Sequence, residues 1–410
     1  MVVLPLLTIL PDRYSVATGL GGDVTGAYFT HHLALIHGLL PYRDFTFEYP
    51  PGALLLHVFP WVAGHSRNAF FVLWIVQMLA IDVSIRIAIE RIGRRTGAAE
   101  ALWASWSWTV AGPLLGGLTL VRNDLLACGL VAWSAVFLIE RRPRLAGALV
   151  GIAILAKLWP VVLLVALAMT RLPVRRRLVA SAAAAAVPVA AALTAWGMFG
   201  PMVSSLLSYH GRRGLQVESL AAWPILVATR LHGHRPATES TFGSTNLVGH
   251  PAVVAGTTYV SVAVVAAILG TVWWRHRRTG LTVAHALSCA AACLGASMAA
   301  DKVFSPQYAV WLLVVVALAG ACGGADRRTI VLAGACVALT GLVYPNFYAD
   351  VVLAHTGALV VIGLRDLVLL ATVAAAWATV MRRGGTVPAP RTQKHVAQRP
   401  AMAAVRSSAP

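Results

Sequence analysis

The sequence predicts an all-α polytopic membrane protein, and three observations carry that prediction. First, 58% of the 410 residues are hydrophobic and only 12% are charged, against about 25% charged in an ordinary soluble chain. With a mean hydropathy of +0.74, lipid must solvate most of the surface. Second, apolar runs recur at roughly the 20-residue length that crosses a hydrocarbon core. Third, short arginine clusters separate those runs. The formal net charge of +18 would suit a nucleic-acid binder, but arginine supplies 30 of the 33 basic residues and sits at the edges of the runs. Basic residues flanking spans mark the cytoplasmic side, so the charge reads as topology and no nucleic-acid partner is expected.

Each element follows in order. Met1–Leu10 is apolar but too short to span, and no basic segment precedes it. It reads as the outer half of an incomplete first helix and not as a signal peptide. Residues 11–67 form a long first outer loop. Within it, Val24–Leu40 carries Phe29, Leu33, Ile36 and Leu40 on one helical stripe, which predicts an interfacial helix on the outer leaflet. Spans follow near 68–89, 98–119 and 122–140. A single span over 145–170 would put Arg144 and Arg171 on opposite sides of the membrane. Two short helices meeting at Lys157-Leu158-Trp159-Pro160 keep both on the same side, and proline favours such a break. A span near 178–199 leads to a second long outer loop at 200–250. Further spans lie near 251–274, 281–299, 308–325, 329–345 and 357–381, with short outer loops at Asp301–Gln307 and Tyr344–Thr356. The expectation is one transmembrane domain, 1–383, of about 11–12 helices with both termini cytoplasmic. Residues 384–410 are rich in Pro, Ala, Ser and Arg and read as a disordered basic cytoplasmic tail.

Acidic residues number only fifteen, so their positions are informative. Asp23, Asp44 and Glu48 fall in the first outer loop, beside the aromatic–proline turns Pro41-Tyr42-Arg43-Asp44 and Glu48-Tyr49-Pro50-Pro51. Arg122, Lys157, Arg212, Arg213 and Lys302 fall on the same predicted face. Carboxylates opposite fixed cations at a lipid interface suit a phosphate-bearing lipid, since guanidinium grips phosphate bidentately and lysine acts as a point charge. Each residue also has a plainer reading: Asp23 as a helix N-cap, Asp44 and Glu48 as partners of Arg43 or turn caps, and the cations as headgroup anchors. His31, His32, His37, His210 and His355 lack metal-ligand spacing, and the five cysteines lie inside apolar runs without a zinc or redox pattern. No nucleotide-binding motif occurs. Neither a metal nor a cofactor is expected.

The first-loop pattern Asp23, Tyr28, Gly38-x-x-Pro41-Tyr42-x-Asp44-x-x-x-Glu48-Tyr49-Pro50-Pro51 resembles that of GT-C membrane glycosyltransferases. More narrowly it resembles glycosyltransferase family 87, the polyprenyl-phosphate-mannose-dependent mannosyltransferases of actinobacteria. Arg122-Asn123-Asp124 is similar to the family's Arg-x-Asp and Lys157-Leu158-Trp159-Pro160 to its Lys-x-x-Pro. Arg213-Gly214-Leu215-Gln216-Val217-Glu218-Ser219 and Ser305-Pro306-Gln307-Tyr308 match two later motifs, and together the resemblance spans roughly residues 20–320.

The resemblance implies a GT-C fold in the cell membrane. It implies transfer of a sugar, with mannose expected, from a polyprenyl phosphate to a lipid-linked or cell-envelope glycan, with inversion, at an extracytoplasmic site. It implies that Asp23 is the base. On the residues themselves, Lys157, Arg213 and Lys302 are the expected donor-phosphate ligands. Asp44, Glu48, Tyr49, Arg122, Asp124, Glu218 and Gln307 are expected to bind sugar or acceptor or to support those that do. Two other readings stand beside this one. Asp82 and the Arg365–Asp366 pair within spans would suit a transporter or lipid flippase, and an inactive GT-C relative would serve as a scaffold.

Overall fold

The computed structural model describes residues 22–170 and 175–382. The expected half-helix at Met1–Leu10 and the tail at 384–410 lie outside the described residues. The chain enters through a π-helical turn, Val24–Tyr28, that runs into α1, Phe29–Ile36. The apolar stripe predicts a helix through Leu40, but the helix ends four residues earlier. Gly38 takes a φ of 78°, the left-handed conformation with which glycine closes helices. The start of α1 docks on protein through Phe29, while Leu33 and Ile36 stay half-buried. Tyr28 stacks on Trp74 at 4.7 Å and Phe29 meets Phe70 at 5.5 Å, both from the 30-residue helix α2, Arg67–Thr96, which Ser66 caps by accepting from the Ala69 N–H. Between α1 and α2 run two 3-10 segments, Pro51–His57 and Phe59–Ala63.

The segment expected as one span at 98–119 is divided into α3, Ala101–Leu114, and α4, Leu118–Val121. Pro113 and the Gly116-Gly117 pair stop the hydrogen-bond ladder there. Helix α5, Asp124–Ile139, has 16 residues, or about 24 Å at 1.5 Å per residue, shorter than the roughly 30 Å of a hydrocarbon core. The hairpin expected over 145–170 is present as α6, Pro143–Ala156, and α7, Val161–Ala168. Its base returns to the arginine-rich end, where Thr170 bridges to Leu281. Its apex carries Lys157 to the opposite end. Helix α6 packs closely on α8, Arg175–Ala195. A Cβ at Gly147 or Gly151 would stand 2.2 and 2.6 Å from the carbonyl oxygens of Leu178 and Ala182, so the small-xxx-small spacing sets the approach of the two backbones.

The long loop expected at 200–250 is structured. It contains the amphipathic helix α9, Phe199–Arg212, then β1, Leu215–Gln216, α10, Trp223–Leu231, and the hairpin β2, Thr238–Thr241, with β3, Ser244–Leu247. The three short strands form an antiparallel sheet in the order β1-β3-β2. Beyond it come α11, Pro251–His276, α12, Val283–Ala300, α13, Tyr308–Ala321, α14, Arg327–Gly341, the short α15, Tyr348–Val352, and α16, Thr356–Met381. Six described helices are long and apolar enough to cross a membrane. Burial separates inner from outer helices: the apolar window of α12 is 72% buried and that of α11 only 6%, so α12 is a central strut while α11 presents its apolar side chains outward.

The two ends of the bundle differ in chemistry. At the arginine-rich end Glu140 accepts from Arg91 at 2.6 Å and from Arg95 at 3.4 Å, and Arg382 faces Asp326 at 3.7 Å. Mid-bundle, Arg365 is fully buried, with its guanidinium 3.8 Å over the Phe304 ring. It donates to Asp366 at 2.7 Å and also to the Glu218 carbonyl. That pair therefore anchors the 200–250 loop to α16.

Candidate active site

At the end opposite the arginine clusters a cavity of about 610 Å³ opens where both long loops, the hairpin apex and the 301–308 loop converge. Rigid backbone places its walls. Tyr42 takes a φ of 67° and donates its hydroxyl to the Tyr49 carbonyl at 2.6 Å, which folds the 41–50 turn over an aromatic cluster with Phe47. Glu48 and Tyr49 thereby face the cavity. Gly52 then passes so close to α6 that a Cβ would lie 2.6 Å from the Leu155 carbonyl carbon, which fastens the first loop to the hairpin apex.

The charged groups are arranged as pairs. Asp23 makes no capping hydrogen bond and instead forms an ion pair with Arg122. Asp124, at the start of α5, receives Lys157 Nζ at 2.9 Å and the Trp311 indole N–H at 2.7 Å on the same oxygen. Lys157 also donates to the Asn123 side chain at 2.8 Å and lies 5.3 Å from the Tyr49 ring and 5.6 Å from the Trp311 ring. Trp159 stacks on Trp311 in turn, so the Lys-x-x-Pro apex sets both a cation and its aromatic wall. Arg213 is 7% exposed. It donates to Ser244 at 3.3 Å, and its Nε has no partner among the described residues. Arg122 likewise keeps an unpartnered Nε.

Loop groups elsewhere on the wall are shifted by burial. Glu218 is fully buried, and its carboxyl is pushed up to about 8 by desolvation, against the lowering effect of Arg365. Burial raises Asp301 and lowers His210, the latter with help from Arg213. Tyr209 donates to the Phe242 carbonyl at 3.2 Å, holding the tip of the β2–β3 hairpin over the cavity. Phe242 and Gly243 both take positive φ, 53° and 67°, a turn that costs the non-glycine residue strain.

Asp23, Glu48, Tyr49, Arg122, Asp124, Lys157, Arg213, Glu218 and Gln307 all line this one cavity. Two expected residues do not. Lys302 turns away: its Nζ donates to the Gly211 carbonyl at 3.2 Å while its own carbonyl accepts from the Gln216 N–H. Asp44 is spent on its own turn, accepting from Arg43 at 2.9 Å and from the Leu40 N–H at 2.8 Å. Arg212 is exposed, whereas its neighbour Arg213 faces inward, because the chain leaves α9 between them. Two of the first-loop histidines pack in an aromatic cluster, His31 against Phe45 and Phe47 and His32 against Phe70, while the exposed His37 meets His65.

Sequence reasoning passed over Asn123, Tyr209, Phe242, Asp301, Tyr344 and Tyr348, all on the wall. Asn123 and Asp301 sit inside or beside motifs already singled out. Nothing local distinguishes the tyrosines from ordinary interfacial ones.

An enclosed site with carboxylates, guanidinium groups and unpartnered donors at the end of an apolar bundle can hold an anion and take up a proton from a neighbouring hydroxyl. No curated protein matches the chain. The model of glycosyltransferase family 87 matches residues 45–306, which takes in the hairpin apex, α9, the strand segment at 215–219 and most of the 301–308 loop. Asp23, Asp44 and Gln307 fall outside or at the border of the matched stretch. The match covers well over half of the chain and coincides with a helical membrane architecture; the chain belongs to glycosyltransferase family 87.

Proposed function

We propose that this membrane glycosyltransferase takes a sugar, mannose in the first instance, from a polyprenyl-phosphate donor. It passes that sugar to a hydroxyl of a lipid-linked or cell-envelope glycan, at the extracytoplasmic face of the cell membrane. The observation that carries this reading is the convergence of Asp23, Arg122, Lys157 and Arg213 on one cavity at the end of the bundle opposite the arginine clusters. Basic clusters flanking spans favour the cytoplasmic side, which supports an extracytoplasmic cavity. The donor phosphate sits against the guanidinium groups of Arg213 and Arg122, whose Nε atoms have no partner among the described residues, and Lys157 adds charge from the hairpin apex. Lys302 is replaced in that role by Arg122.

In the reaction, Asp23 accepts the proton of the attacking hydroxyl. The acceptor oxygen forms its bond to the anomeric carbon from the face opposite the phosphate, and the sugar–phosphate C–O bond breaks with its electron pair leaving on the phosphate. The configuration inverts. Arg122 orients Asp23 beforehand, and the guanidinium groups stabilise the charge that develops on the leaving phosphate. The lipid donor is already activated, so the step needs no nucleotide.

The test is transfer of labelled mannose from polyprenyl phosphate in proteoliposomes. Asp23→Asn should lower transfer by about 10²–10⁴-fold with donor binding intact, and wild-type rates in that variant would refute the base assignment. Movement of the labelled lipid without transfer would favour a transporter, and neither activity would favour a scaffold.

A further inference from the structure

The cavity wall formed by residues 215–219 differs in chemistry from the charged side. In an extended segment, side chains alternate between faces. Leu215 and Val217 enter the apolar core with no exposure, and Gln216 and Glu218 line the cavity. The backbone here is held at several points. The Gln216 N–H donates to the Lys302 carbonyl at 2.9 Å, the Val217 N–H to Thr245 at 3.1 Å, and the Ser219 hydroxyl to the Gln216 carbonyl at 2.8 Å. Arg365 grips the Glu218 carbonyl from α16. The Gln216 amide N–H donates to Glu218 Oε2 at 3.0 Å.

Two oxygens are left over. Gln216 Oε1 and Glu218 Oε1 are both buried and have no partner among the described residues. Buried polar atoms of this kind are costly unless something meets them. Tyr344 and Tyr348, edge to face at 5.3 Å, complete this wall, with the Tyr348 hydroxyl fixed by the Thr245 N–H at 3.2 Å. An amide, a carboxyl and aromatic faces are what a sugar ring uses: hydroxyls bond to the polar atoms and the C–H face packs on the rings.

We propose that Gln216 and Glu218, flanked by Tyr344 and Tyr348, form a subsite for a pyranose ring, read through one of its hydroxyls by Gln216 Oε1 and Glu218 Oε1 together. The proposal rests on the glycosyltransferase reading and assigns part of its site. Burial leaves the Glu218 carboxyl protonated at neutral pH. Oε1 can then donate while Gln216 Oε1 accepts, the complement of a single hydroxyl. The groups facing Glu218 are Gln216 from its own segment, Arg365 and Asp366 from α16, Arg122 beyond α4 and Tyr348 from α15. The ring is the donor's sugar or the terminal sugar of the acceptor, and the experiment separates the two.

Binding is measured in nanodiscs for polyprenyl phosphate, polyprenyl-phosphate-mannose and a methyl oligomannoside. Wild type is compared with Gln216→Ala, Glu218→Ala and Glu218→Gln. If the ring is the donor's, wild type prefers the sugar-bearing lipid over the bare lipid phosphate. Each alanine variant then loses about tenfold of that preference while keeping its affinity for the bare lipid. If the ring is the acceptor's, the lipid preference stays and oligomannoside affinity falls by a similar factor. Glu218→Gln, neutral and able to donate, stays within about threefold of wild type. Unchanged affinity for both sugar probes in both alanine variants overturns the proposal, as does a Glu218→Gln variant as impaired as Glu218→Ala. If the alanine variants fail to fold, the pH dependence decides: sugar affinity falls as pH rises through about 8 in wild type but not in Glu218→Gln, and a matching pH profile in the two overturns the proposal. Because these readouts are binding, absence of transfer by wild type would refute the catalytic reading without touching this one.

Discussion

Replacing Lys157 by methionine tests the hairpin apex, the charged half of the site and the packing beneath it at once. Lys157 Nζ lies 2.9 Å from Asp124 Oδ1, and the two side chains are 17% and 4% exposed. At that separation an effective dielectric of 20 gives about 6 kcal/mol of gross attraction, most of which offsets the desolvation of two ions. Methionine is unbranched and only one atom shorter, and it removes the charge. Asp124 is then left with only the Trp311 N–H on one oxygen, and its Oδ2 already lacks a partner among the described residues. Removing one member of a buried pair costs about 3–5 kcal/mol, and the remaining indole hydrogen bond argues for the lower end, about 3 kcal/mol. Adding Asp124→Asn removes the stranded charge and should restore more than half of the loss, a positive coupling in a double-mutant cycle. The assay is reversible unfolding in mixed micelles, with donor affinity measured in parallel. Lys157→Met should also weaken donor binding by about tenfold or more through the lost point charge. A cost under about 1 kcal/mol with no rescue by Asp124→Asn would mean that the pair does not form. Unchanged donor affinity would remove Lys157 from the phosphate site.

Gly52→Ala should cost about 1–3 kcal/mol, because the new Cβ meets the Leu155 backbone and cannot be relieved by a side-chain rotation; a thermal melt together with donor KM checks it, and both should move since Gly52 supports the hairpin apex. Arg365→Leu strands Asp366 and frees the Glu218 carbonyl, so it should destabilise by about 3–5 kcal/mol. Arg365→Leu combined with Asp366→Leu should recover much of that, and a transport function lost in proportion to charge instead would contradict an anchoring role. The Glu218 carboxyl is raised from 4.5 to about 8, so between those values the folded chain holds a proton that the unfolded chain has released. Stability should therefore fall as pH rises from about 4.5 to about 8 and level off above. Glu218→Gln should flatten that slope in denaturant titrations run across the window.

The hairpin at 143–168 was legible in the sequence because two basic clusters on one side of the membrane demand an even number of passes between them, and Pro160 supplies the break. The arginine clusters likewise marked the end of the bundle that lies opposite the cavity. Motif spacing brought out most of the wall, since Arg122, Asp124, Lys157, Arg213 and Glu218 each stand at an element boundary where the chain turns. Lys302 and Asp44 were legible as charged residues of outer loops but not as to direction. A one-residue offset in an irregular segment reverses a side chain, and here the neighbouring Asp301 faces the cavity while Lys302 bonds to Gly211. The helix expected through Leu40 overran because periodicity registers apolar residues but not the glycine conformation that ends the helix.

Composition and the alternation of apolar runs with arginine determined, without coordinates, that this chain is a helical bundle solvated by lipid, because hydrophobic thickness and charge placement are properties of short contiguous segments. The tertiary structure alone decided which charges meet. Asp23 pairs with Arg122 across about a hundred positions, Trp311 reaches Asp124, and Arg365 holds the carbonyl of Glu218. Such contacts depend on how helices pack and where loops cross, and no local pattern encodes them. The same packing buries Gln216 and Glu218 with an oxygen each unmet among the described residues, so the feature that points to a sugar ring exists only once the chain has folded.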